Sequence, residues 1–434
     1  MVQPRSHRAL ILVPIVALVL AACSGGGQSQ SPGASGGTSG KQDVEIFSWW
    51  TTGGEATGLQ KLMDKFNAEN TDDHVFNQAV AGGAGSNAQA VLKTRMLGGD
   101  PPDSFQVHMG HELIDTWVTT DYMVNLDDLY EANGWKDQFP KGVLDIVSFD
   151  GHYWSVPVNI HRANVLWYNK KAFEANGLKP PTTWDEFKTA ADKLKAADIT
   201  PLALGDKDAF ASGQLFETIL IGTLGAEGYS GLWTGKTDWA GADVTQALNT
   251  FKMALSYVND DHASLTWDQA NDLIISGKAA MTVMGDWIDG DYIAKKFSDY
   301  GWAPVPGNDG IYDALSDTFG LPKNSKHPDA TKKFLTLLGS AAGQDIFNPL
   351  KGSIPANTTA GNPPAGEKQY DDYLKSAQAD WKTDTIVPSL EHGAAAKPSW
   401  VSAFTQAVVE FVTNQDVEAT QASLVQAAKD ASAS

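Results

Sequence analysis

Short apolar runs alternate with amphipathic helical stripes from Val44 onward, and this alternation is what most restricts the folds open to the chain. An apolar run of strand length followed by a stripe of period 3.6 reads as strand then helix, and its repetition reads as an α/β protein. The first run is VEIFSWW, 44–50, and Leu59, Leu62, Met63 and Phe66 then fall at i, i+3, i+4 and i+7, one face of a helix. Residues 75–80 predict the next strand. A glycine-rich turn, 82–86, leads into a helix with Ala88, Val91, Leu92 and Met96 on one face. Pro101-Pro102 ends that region, and SFQVH, 104–108, predicts a third strand, completing one βαβαβ unit.

The same grammar returns further along with clear helix starts. Thr183 precedes Glu186 by three residues, a capping box, and Phe187, Ala190, Ala191 and Leu194 form the stripe behind it. Thr266 and Gln269 repeat the device, with the helix closing near Ser276-Gly277. A strand over 279–284 runs directly into Gly285-Asp286-Trp287, and Phe404, Ala407, Val408 and Phe411 mark one more helix. The body of about 390 residues exceeds what one hydrophobic core usually serves, so two lobes are expected.

The N-terminus is built differently. Arg5, His7 and Arg8 precede an uncharged apolar stretch, 9–22, that has the length of a signal h-region and is short for a membrane span. It ends in Leu20-Ala21-Ala22-Cys23, and Cys23 is the only cysteine of the chain, so no disulfide partner exists within it. The pattern resembles the lipobox of bacterial lipoproteins, which implies cleavage after residue 22 and acylation of Cys23. Residues 24–41 are almost all Gly, Ser, Gln, Pro, Ala and Thr, a composition that cannot bury a core. Such a coil spans roughly 20–25 Å, enough to hold a folded body clear of lipid headgroups. The expected organisation is a signal peptide over 1–22, an acylated Cys23 and tether over 23–42, and then the body, displayed on the extracytoplasmic face of the membrane.

Composition narrows the function. A formal charge of −20 argues against nucleic acid, which demands clustered Lys and Arg, and against docking on anionic lipid. The chain lacks G-x-S-x-G and G-x-x-x-x-G-K-[ST], and Gly82, Gly83 and Gly85 lack dinucleotide-loop spacing. His108-Met109-Gly110-His111-Glu112 has neither order of a zinc helix, and Asp286, Asp289 and Asp291 lack the spacing of a calcium loop, so neither a metal nor a cofactor is expected. The chain carries fourteen tryptophans, most of which a core will take, but flat rings are also what cover the apolar face of a pyranose. A pair of carboxylates acting on a glycoside stays open at this level, because the separation that matters is three-dimensional.

Several segments together resemble the extracellular solute-binding proteins (family 1) of bacterial ABC sugar importers. They are Trp49-Trp50 followed by Glu55, VLKTRMLGGDPPDSFQVH (91–108), WSVPVNIHRANVLWYNKKAF (154–173), PPTTWDEF (180–187), VMGDW (283–287), LSDTFGLPK (315–323) and FNPLKGSIP (347–355). The combination of GGDPPDSFQVH, LSDTFG and PLKGSIP looks like the glucose/mannose-binding type. The resemblance implies an α/β, two-lobed periplasmic-binding-protein fold, with crossing hinge strands and an interlobe cleft. It places lobe one at 43–157 with 316–358, and lobe two at 158–315 with 359–434. It further implies a monomeric carrier, not an enzyme, that captures a monosaccharide and delivers it to the permease subunits of an ABC transporter. The competing readings are the same fold with a disaccharide or another sugar, and an anchored glycosidase.

The candidate sugar-binding residues follow from motif and position together. Trp49 and Trp50 stand where open α/β sheets bind ligands; the resemblance has at least one stack on the sugar, while the other serves the core. Glu55 opens the next helix, where it either complements the helix dipole or accepts from hydroxyls. Lys93 lies off the apolar stripe of its helix, which fits a solvated lysine as well as a ligand contact. Gln106 and His108 share one side of a strand at i and i+2. Trp267 stands at the first helical position after Thr266, where no tryptophan is needed to start a helix. Asp286 and Asp317 follow apolar runs, Lys351 precedes Gly352 at a helix C-terminus, and His392 sits in a loop before the helix marked by Phe404; each joins the set through the resemblance.

Overall fold

A computed structural model describes residues 41–433, so the leader, Cys23 and nearly all of the tether lie outside the described residues. Gln42, expected in the tether, already belongs to the first strand, Gln42–Ser48. The strand stops at Ser48, so Trp49 and Trp50 lie just past its carboxyl end rather than in it.

The βαβαβ unit forms as the alternation implies. Strand Gln42–Ser48 pairs in parallel with Asp73–Ala79 on one side and Ser104–His108 on the other. Helices Gly53–Glu69 and Ser86–Leu97 connect them. Leu59, Leu62, Met63 and Phe66 are buried as the stripe requires. In the second helix Ala88, Leu92 and Met96 are buried, but Val91 is 40 % exposed. The stripe there is i, i+4, i+8, and Val91 falls beside it. A distant segment, Asp317–Pro322, completes the sheet by lying antiparallel to Ser104–His108, with Asp317 opposite His108. Its other side is taken by Ser155–Pro157 and, further along, by Met123–Val124.

A second sheet holds Thr200–Leu202, Ala279–Val283, Val165–Asn169 and Tyr300–Pro304 in that order. Here only the first pair is parallel; Val165–Asn169 runs antiparallel to both of its neighbours. Four helices, Phe210–Thr234, Ala242–Leu255, Pro398–Asn414 and Val417–Ala433, pack against one another beyond it. Phe404, Ala407, Val408 and Phe411 are the buried face of the third. The fourth, absent from the sequence reading, has a weaker stripe in which Thr420 and Leu424 are buried.

Three chain segments pass between the two sheets side by side. Ala314 and Leu315 pair with Arg162 and His161, and Thr318 pairs with Pro157. Ile160 exchanges both backbone hydrogen bonds with Ile354, at 2.8 and 3.1 Å. Gly352, at φ 81°, lets the helix Ala341–Lys351 end and turn into the third of these segments, a conformation that a side chain would strain. These crossings are the hinge strands of a two-lobed fold.

Candidate functional site

The carboxyl edge of the first sheet forms one wall of a cavity of about 200 Å³. Trp49 and Trp50 reach it from the end of Gln42–Ser48, and His108 from the end of Ser104–His108. Asp317 reaches it from the start of its antiparallel strand. Helix starts and a loop beyond the second sheet supply the facing wall: Phe210, Trp267, Trp287 and His392. His161, Glu55 and Lys351 complete the lining.

Asp317 is the electrostatic centre. Its Oδ1 accepts from Gln106 Nε2 at 2.7 Å, and its Oδ2 accepts from Asn159 Nδ2 at 2.8 Å. His161 Nε2 lies 3.3 Å from Oδ2 and His108 Nε2 3.8 Å from Oδ1. Burial alone would push this carboxyl up, but the hydrogen bond from His161 and the charges of Lys351, His161 and His108 hold it well below the usual carboxylate range. His161 extends the network of contacts, because its Nδ1 meets Asp286 Oδ1.

A second ion pair stands beside the first. Lys351, buried at the end of its helix, donates from Nζ to Glu55 Oε1 at 2.7 Å. The ammonium also lies 5.6 Å from the ring centroid of Trp50 and 5.7 Å from that of Trp287. Burial raises the Glu55 carboxyl, and Lys351 only partly pulls it back.

Two of the three cavity histidines are tuned in opposite directions. For His108 burial lowers the imidazole, yet Glu112, 2.8 Å from Nδ1, outweighs that and raises it. For His392 burial and the neighbouring His108 both act downward and hold it well below its ordinary value. The two rings meet edge to face, 5.3 Å apart.

The tryptophans are not equivalent. Trp50 is 1 % exposed and packs on Phe319 and Phe347, while its Nε1 is buried without a protein partner. Trp49 lies tilted against His108, and Gly85, at φ 76°, lies against its indole so closely that a Cβ there would come within 2.6 Å of the ring. Both are therefore covered on protein sides. Trp267 is half-buried, and among the described residues no other ring packs on it.

Of the residues expected from the sequence, Trp49, Trp50, Glu55, His108, Trp267, Asp317, Lys351 and His392 line the one cavity. Three do not. Gln106 is buried behind the wall, where it accepts from the backbone N–H of Trp49 at 3.1 Å and donates to Asp317. Asp286 is likewise buried and acts on His161 and on the backbone N–H of Arg162. Lys93 is exposed on Ser86–Leu97 and outside the lining, because it follows Leu92 off the buried stripe. Among the described residues no group of three His, Cys, Asp or Glu side chains could hold a metal ion.

Sequence reasoning passed over His161 and Trp287. Asn159 and His161 stand at i and i+2, the same period that singled out Gln106 and His108. Trp287 directly follows Asp286 in VMGDW, and the ring rather than the carboxylate faces the cavity. Phe210 and Asp208, which also line it, carried no sequence signal.

The pattern of bacterial extracellular solute-binding proteins matches residues 50–345. An uncharacterized ABC transporter extracellular-binding protein of Pyrococcus horikoshii is 36 % identical over 422 residues, covering 96 % of this chain and 93 % of that one. The chain belongs to the bacterial extracellular solute-binding proteins. A probable sugar-binding periplasmic protein of Brucella suis is 32 % identical over 385 residues, covering 86 % and 88 %. Among solved structures, a bacterial solute receptor described as having an exclusive preference for β-D-galactopyranose superposes with a TM-score of 0.78 at 21 % identity, over 90 % of this chain and 98 % of that one. That likeness carries the two-lobed α/β architecture. Membership in the family makes the chain an extracytoplasmic binding protein and not an enzyme. The binding protein's cavity thus sets the Lys351–Glu55 pair beside Asp317, ionisable side chains able to bond hydroxyl groups. Ionised partners make the strongest hydrogen bonds to such groups.

Proposed function

We propose that this solute-binding protein captures a monosaccharide of the glucose/mannose type and delivers it to the permease of an ABC sugar transporter. The observation that carries the reading is the cavity itself: about 200 Å³, with ring faces and paired charges converging on it. Pockets for drug-sized ligands run roughly 300–1,000 Å³, so one sugar ring suits this space better than a chain of them. LSDTFG and PLKGSIP, which supply Asp317 and Lys351, support the glucose/mannose type. The sugar-binding name of the Brucella suis relative supports the ligand class.

In this reading lobe one is 43–157 with 316–358, and lobe two is 158–315 with 359–434. Trp49, Trp50, Glu55, His108, Asp317 and Lys351 act from lobe one, and Trp267 and His392 from lobe two. Gln106 and Asp286 hold Asp317 and His161 in place. Sugar contacts on both sides draw the lobes together about the crossing strands. Cys23 carries the lipid that keeps the carrier, a monomer, beside its permease.

Calorimetric titration with a panel of mono- and disaccharides tests the proposal. Glucose or mannose is expected to bind tightest and to raise the melting temperature by mass action. Tight binding of maltose without binding of glucose would overturn the monosaccharide assignment.

A further inference from the structure

Glu217 lies outside the cavity, yet its hydrogen bonds reach the turn that carries His392. It is fully buried on the helix Phe210–Thr234. Its Oε1 accepts from Tyr229 Oη at 2.5 Å and from the backbone N–H of Leu390. Its Oε2 accepts from Ser389 Oγ at 3.2 Å and from the backbone N–H of Glu391 at 3.2 Å. Four donors surround the carboxylate, one for each of its acceptor sites, and they offset part of the upward push that burial exerts on it. All but Tyr229 belong to 389–391, the turn that carries His392.

The direction of the next hydrogen bond follows. Ser389 has one hydroxyl proton, and a fully buried carboxylate is the strongest acceptor near it. With that proton turned toward Glu217, the Ser389 oxygen is left as an acceptor for His392 Nδ1, 2.8 Å away. Nδ1 then carries the imidazole hydrogen, and Nε2 is left with a bare lone pair. The backbone N–H of His392 also points at the Ser389 oxygen, at 3.4 Å, which is consistent with its role as acceptor.

We propose that Glu217 is a positioning residue that fixes the tautomer of His392 through Ser389, so that Nε2 accepts a hydrogen bond from one particular ligand hydroxyl. The inference rests on the reading of the cavity as a sugar site. It adds that His392 distinguishes ligands by a donor hydroxyl at one ring position. Beside it stands His108, its Nδ1 2.8 Å from Glu112 Oε2, and the two rings meet edge to face 5.3 Å apart.

Long-range proton–nitrogen correlation spectra of the ligand-free protein, labelled with 15N-histidine, read the tautomer directly. Wild-type His392 is expected as a neutral ring protonated on Nδ1. In Glu217→Gln the new amide can donate to Ser389, which then turns its hydroxyl toward Nδ1 and moves the ring hydrogen to Nε2. Ser389→Ala removes the relay while leaving the backbone contacts of Glu217, and keeps the test intact if Glu217→Gln does not fold. Sugar affinity of Ser389→Ala is expected to fall about tenfold. One monodeoxy analogue of the tightest-binding sugar should lose affinity for wild type and not for this variant. A charged or Nε2-protonated His392 in wild type, or an Nδ1 tautomer that survives both substitutions, overturns the proposal. Because the spectra are recorded without ligand, an absence of sugar binding would overturn the proposed function and leave this result standing.

Discussion

Lys351 Nζ sits 2.7 Å from Glu55 Oε1, joining the C-terminus of one helix to the first turn of another beside the cavity. Each end of the pair could be explained by its own helix dipole, and the distance shows that they answer each other instead. Lys351→Met would strand the Glu55 carboxylate without its counter-ion, which costs about 3 kcal/mol for a buried pair. The sign of the pH dependence follows from the direction of the shift. Burial already raises the Glu55 carboxyl in the folded protein, and removing Lys351 raises it further. The variant's deficit should therefore be small below about pH 4, the unfolded glutamate range, and grow as pH rises through the folded value. Adding Glu55→Gln should restore most of the stability. Denaturant melts of wild type and the two variants at pH 4 and pH 7 measure this, and a deficit independent of pH would contradict it.

Asp317 behaves in the opposite sense. Its folded carboxyl is held below the unfolded value of about 3.9. The stability it contributes is complete above that value and is lost as pH falls through the folded one. Asp317→Asn should be less stable than wild type by about 3 kcal/mol at pH 7, with the gap narrowing at pH 3. Chemical denaturation at both pH values checks the direction.

How much of this was legible in the sequence depends on range. The βαβαβ unit and the helix starts at Thr183 and Thr266 are local, and period and caps disclose them. The pairing of Asp317 with His108 is not local, since 209 positions separate them, and only the resemblance of LSDTFG to a known family placed Asp317 at the site. Gln106 shows the limit of a period-2 argument. Its side of the strand was right, but a long side chain behind Trp49 reaches Asp317 rather than the cavity. Lys93 shows the limit of motif transfer, because the helix that carries it turns the lysine to solvent. Lys93→Ala is accordingly expected to leave sugar affinity within twofold of wild type by titration.

The anchor reading is tested by fractionation. Cys23→Ser should move the protein from the membrane to the soluble fraction without changing its sugar affinity, since residues 24–41, whose composition cannot bury a core, stand between residue 23 and the first strand. A variant that stays with the membrane would contradict acylation at Cys23.

The tryptophans give the sharpest contrast. Trp50 is buried against Phe319 and Phe347, so Trp50→Ala should cost about 3–5 kcal/mol of stability whatever it does to binding. Trp267 stands at a helix start whose cap, the Thr266 N–H to Gln269 Oε1 bond at 3.0 Å, does not involve the indole. Its ring is half-buried against the core and lines the cavity, with no other ring packed on it among the described residues. Trp267→Ala should then weaken binding by about 2 kcal/mol, roughly thirtyfold, and melt near wild type without ligand. If Trp267 instead belongs to the core, the two effects exchange places: a large fall in melting temperature, with near-normal affinity in the folded fraction. Measuring ligand-free melting and calorimetric affinity on both variants separates a ring that supports the fold from one that grips the ligand. The expected order is Trp50→Ala far below Trp267→Ala in stability, with Trp267→Ala clearly weakened in binding.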